Sequence, residues 1–106
     1  MSPPADPAKN GGRIPQFIEV RRQKHVMDAI LVNRRCCEIL PKDRLWHVGD
    51  VLEFRCYDPR RDILVGNPLR REIWYIEHGP MHGLEPGYIM VTHRFWQGEW
   101  EHVVLP

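Results

Sequence analysis

A chain of 106 residues, 42% apolar and 27% charged, has material for one hydrophobic core and not for two. No apolar run approaches the roughly 18 to 20 residues of a membrane span, and the amino terminus lacks the apolar stretch of a secretory signal. A cytoplasmic protein without a membrane partner is therefore expected, and a net charge of +1 excludes a surface that is basic throughout.

The Pro-, Gly- and Asn-rich start predicts a disordered tail over 1–14, leaving one domain over 15–106. Phe17-Ile18-Glu19-Val20 follows Pro15 and has strand composition. Over 24–32, Val26 with Ile30 and Met27 with Leu31 repeat at i, i+4, which predicts a short amphipathic helix. Asn33 is placed to end it, because Asn tolerates the left-handed conformation that stops helices. Short β-runs follow at 36–40, 51–57, 71–77 and 88–95, with 100–105 as a possible further strand. Turn residues separate them, notably Gly49-Asp50, Asp58-Pro59, Gly66-Asn67-Pro68 and Gly79-Pro80. Many short strands with one early helix predict an α+β fold, a small β-barrel with one packed N-terminal helix.

Arginine dominates the basic residues, and most arginines come in pairs: Arg21-Arg22, Arg34-Arg35, Arg60-Arg61 and Arg70-Arg71. A guanidinium fork suits phosphate, carboxylate or a guanine edge in a way that lysine does not. The three cysteines form no disulfide framework, since Cys36 and Cys37 are adjacent and the number is odd. Buried reduced thiols are expected. His78 and His82 flank Gly79-Pro80, which precludes the helix that would align them on a metal, so no metal or other cofactor is expected.

In order, the chain carries a strand, a short helix, a basic turn and a Glu-bearing strand. Asp43-Arg44, Val48-Gly49-Asp50, Tyr57-Asp58, Gly83-Leu84 and Pro86-Gly87-Tyr88 then follow at set intervals. This arrangement resembles the ASCH-like members of the PUA-like superfamily, in particular an uncharacterised bacterial and phage branch. The resemblance implies a pseudo-barrel with a cleft beside the first helix, and binding of RNA or recognition of a nucleobase. The ASCH signature G-x-K-x-x-E-x-R aligns with Asn33, Arg35, Glu38 and Leu40. Only the Glu is kept. Some relatives use the signature Lys to deacetylate a modified cytidine, and Arg35 is a poor base or nucleophile in its place.

The expected site is therefore Arg34, Arg35, Glu38, Lys42, Arg44 and Trp46. Glu38 in mid-strand either accepts a hydrogen bond from an exocyclic amine or is held as a structural pair by Arg35 or Arg44. A hairpin-like path would bring Arg34 and Arg35 to the same mouth as Lys42 and Arg44, making a phosphate-holding patch. Asp43 orders the turn or holds Arg44. Trp46 is either a stacking wall for a base or a packing residue, and Tyr88 is expected to be buried. The leading expectation is an RNA- or nucleotide-binding module. The alternatives are an amidohydrolase acting on a modified nucleoside, with Glu38 or His47 moving the proton, and a phage-type module that blocks a host complex. In the last case Trp96 and Trp100 would form an exposed apolar patch.

Overall fold

The structure, a computed structural model, describes residues 14–96. Its elements are β1 (Phe17–Arg22), α1 (Lys24–Leu31), β2 (Cys37–Pro41), β3 (Val51–Asp58), β4 (Ile63–His78) and β5 (Tyr88–Phe95). They form one five-stranded sheet in the order β1-β3-β4-β5-β2. Only the β1–β3 pair is parallel, and α1 carries the chain from one edge strand to the other. The sheet curls into a half-barrel, so Ile18 and Val20 of one edge share a core with Leu40 of the other. Ile30 packs from α1 into that core, with Val26 and Met27 beside it.

Alternation along the strands produces this core directly. Ile18 and Val20, Leu52 and Phe54, and Ile89 and Val91 point inward from β1, β3 and β5. Complete burial of a side chain such as Phe54 contributes about 2 to 3 kcal/mol. Strand stagger stacks the inward residues in layers. Val20, Leu52, Ile73, Val91 and Leu40 form an apolar layer. Next to it Arg22 bonds to Glu38, Arg71 bonds to His93, and the His93 ring lies 5.3 Å from Phe54, so these five make a second, largely polar layer.

Several expectations change in detail. The expected run 71–77 belongs to a 16-residue strand, β4, because Gly66-Asn67-Pro68 is a bulge within it and not a turn between strands. The partners show this: Val65 faces Cys56 while Leu69 faces Phe54, so β4 spends two extra residues there, with Gly66 at φ 73°. Leu31 lies on the solvent side of α1, since a helix this short buries a single turn of its stripe. Tyr88 and Cys37 are exposed and not buried, the first beside the Gly87 turn and the second on the outer face of β2. Asn33 does end the helix, at φ 62°. The possible strand at 100–105, Trp100 and nearly all of the expected tail lie outside the described residues. No described helix is long and apolar enough to cross a membrane.

Candidate ligand-binding site

Glu38 occupies an inward position of β2 and is 1% exposed. Its neighbour across the open side of the half-barrel is Arg22, the last residue of β1. Arg22 donates to Oε1 from Nε at 3.1 Å and from Nη2 at 2.8 Å. Arg35, just before β2, donates to Oε2 from Nε at 2.9 Å and more weakly to Oε1 from Nη2 at 3.4 Å. One buried carboxylate thus holds two guanidinium groups, and the bond to Glu38 raises the pKa of Arg35. Oε2 keeps capacity for one more donor.

The same layer contains a second network. Arg71 is completely buried. It donates from Nε to His93 Nδ1 at 2.9 Å, and from Nη2 to Asn33 Oδ1 at 2.9 Å and to the His93 carbonyl at 3.1 Å. Cys36 Sγ lies 3.8 Å from Nη2. Phe95 covers the guanidinium, its ring centroid 4.5 Å away. Burial, reinforced by the Arg71 charge, pushes His93 down to about 4. The ring is therefore neutral at pH 7, and because Nδ1 accepts from Arg71, its proton sits on Nε2. Arg71 Nη1 and His93 Nε2 are both buried without a hydrogen-bond partner.

A groove of about 330 Å³ runs between the two edge strands. Glu19, Arg21 and Arg22 line it from β1, and Ile39 to Pro41, Asp43, Arg44 and Trp46 from the other side. The Trp46 indole N–H donates to the Pro41 carbonyl at 3.2 Å, and the Arg44 guanidinium lies over its ring at 5.3 Å. Trp46 is half-buried, with part of its surface against the core. Arg44 is held by Asp43 at 3.1 Å, as expected of that acid.

The expected residues therefore divide. Arg35 and Glu38 meet directly. Arg44 and Trp46 lie in the β1–β2 groove, reached from Glu38 through Arg22. Arg34 and Lys42 are exposed, at opposite ends of β2. The hairpin-like path does not form: β2 pairs with β5, and its five residues separate Arg34-Arg35 from Lys42 and Arg44 by about 17 Å. The Glu38 partners are Arg35 and Arg22, and Arg44 is committed to Asp43. His47 is also displaced from the site. It stands beside Asp50, about 13 Å along β3 from the Phe54 layer.

Three participants escaped the sequence reading: Arg22, Arg71 and His93. The signal was present in the alternation. Ile18-x-Val20-x-Arg22 and Ile89-x-Val91-x-His93 each continue an inward row into a polar residue. Taking Arg21-Arg22 and Arg70-Arg71 as pairs concealed it, because adjacent residues of a strand face opposite sides. Among the described residues, no three His, Cys, Asp or Glu side chains gather as a metal-binding set.

Residues 19–92 match the family described as Domain of unknown function (DUF3850). The chain belongs to this family. The matched span runs from β1 to β5, so Arg22, Arg35, Glu38, Arg44, Trp46 and Arg71 all lie within it, and His93 directly follows it. No curated protein matches the chain.

Proposed function

We propose that the chain is a PUA-like module that binds RNA or a nucleotide along the β1–β2 groove and the Glu38 end of the half-barrel. One observation carries this reading. Arg22 and Arg35 both bond to the single carboxylate of Glu38, which leaves an excess of positive charge at this end of the half-barrel for an anionic ligand to balance. Arg44 and Trp46 extend the same surface. The Arg44–Asp43 pair is exposed and worth little, so Arg44 exchanges it for a phosphate at small cost. Trp46 offers a ring face for an unpaired base. Glu38 holds Arg22 and Arg35 in register, and its remaining acceptor position on Oε2 can read an exocyclic amine.

The site chemistry favours recognition over amide hydrolysis. Hydrolysis needs a group beside Glu38 that takes a proton near neutral pH. His47 is too distant for this, and the unpartnered nitrogen of His93 already carries a proton.

The test is fluorescence anisotropy with single-stranded RNA and with mononucleotides, across a salt series, for wild type, Arg35→Ala and Arg44→Ala. Expected is salt-sensitive binding, weakened about tenfold by either substitution, with the salt slope reduced by about one in Arg44→Ala. Absence of binding to both probes at low salt overturns the reading and directs the search to a protein partner.

A further inference from the structure

We propose that Arg71 and His93 form a buried site for an anionic oxygen, supplied by a small phosphate- or carboxylate-bearing ligand. This goes beyond nucleic-acid recognition in the β1–β2 groove, because it concerns a different pair of side chains and a different opening.

Charge is the first argument. Arg71 is fully enclosed, and its hydrogen-bond acceptors are an amide oxygen, a carbonyl, a neutral imidazole and a thiol sulfur. None of these is a carboxylate, and among the described residues no carboxylate pairs with it. A guanidinium stays protonated under these conditions, so the charge remains without a counter-ion. Buried Arg side chains elsewhere in proteins are usually paired.

Hydrogen bonding is the second. The two unpartnered atoms in this network, Arg71 Nη1 and His93 Nε2, are both donors. They belong to side chains bonded to each other at 2.9 Å. A polar acceptor between them satisfies both, and a negatively charged acceptor also supplies the missing counter-charge. A water molecule meets only the first need.

Access is the third. A groove of about 300 Å³ lies on the outer side of this network, lined by Asn33, Cys36, Trp74, Thr92, His93 and Arg94. Asn33 both lines that groove and accepts from Arg71, so the groove and the buried network share a wall. Arg94, stacked over Trp74 and paired with Glu72 at 3.6 Å, forms part of the rim.

The experiment is an NMR titration of the full, nitrogen-15-labelled chain with inorganic phosphate and, separately, acetate at fixed ionic strength. The Arg71 guanidinium and His93 ring resonances are followed. Expected is saturable movement of both at millimolar concentration, and the stronger anion identifies the preferred oxyanion. His93→Gln should weaken that binding at least tenfold. Arg60→Ala should not, since Arg60 lines a separate cavity at the start of α1. Stationary Arg71 and His93 resonances overturn the proposal. So does unchanged affinity in a folded His93→Gln, or movement confined to Lys24, His25 and Arg60. Should His93→Gln fail to fold, the wild-type titration decides alone. No nucleic acid is present, so failure of the RNA reading and failure of this one are separable.

Discussion

Of the three buried carboxylates among the described residues, Glu38 and Asp50 are the most enclosed, each 1% exposed, and they are satisfied in opposite ways. Asp50 accepts from the Gln16 backbone at 3.0 Å, the Gln16 side chain at 2.9 Å and the His47 backbone at 2.9 Å. Its donors are neutral, and together they tie the start of β1 to the start of β3. The loose atom there, His47 Nδ1, stands 3.9 Å from Asp50 Oδ2 and so faces an acid. Glu38 is satisfied by cations, and beyond it lies a further cation with no acid of its own. A carboxylate bound by backbone donors fixes a turn. A carboxylate outnumbered by guanidinium groups marks a place where charge is still wanted.

The largest expected effect breaks the Asp50 side of this comparison. Asp50→Ala removes three hydrogen bonds and should cost about 3 to 4 kcal/mol in urea denaturation. Phosphate affinity in the folded fraction should not change. A loss below about 1 kcal/mol would mean that Asp50 does not hold the turn.

The next effect is a pH dependence on the other side. The pKa of His93 is lowered by burial and by Arg71 to about 4, below the usual value of 6.5. The unfolded chain therefore binds a proton before the folded one does. Stability contributed by the neutral ring is fully present above about pH 6.5 and is lost as pH falls toward 4. The shift corresponds to a loss on the order of 3 kcal/mol across that window. Urea melts at stepped pH should show this slope in wild type and a flatter one in His93→Gln. Equal slopes would place His93 in water.

Legibility in the sequence follows the same division. Strand alternation, the i, i+4 stripe and Asn33 are local signals, and they place β1, α1, β3 and β5 within a residue or two. The Gly66 bulge is not local. It exists because β4 must stay paired with β3 on both sides of a register shift, and Gly-Asn-Pro reads the same in a turn. Glu38 and Arg35 were legible as a pair because they are three residues apart on one segment. Arg22 reaches Glu38 only through the curl of the sheet, which brings β1 opposite β2 although these strands lie at its two edges, and Arg71 meets His93 across the β4–β5 pairing. His93 was visible as an inward position, but an inward histidine acquires meaning only once its neighbour is known to be a buried arginine.

Glu38→Gln sharpens the comparison with the smallest change in shape. The amide keeps an oxygen for one arginine and loses the charge that holds both. Arg22 and Arg35 are 28% and 44% exposed in their side chains, so water takes over part of their solvation. The expected loss is about 1 to 2 kcal/mol, less than for Asp50→Ala, although both carboxylates are equally buried. Removal of the one negative charge in the layer should also tighten phosphate binding, by roughly threefold to tenfold at low salt. Stability and anion affinity then move in opposite directions, which a purely structural ion pair does not produce. A Glu38→Gln chain that loses stability with unchanged phosphate affinity would assign Glu38 to the scaffold and leave anion recognition to other residues.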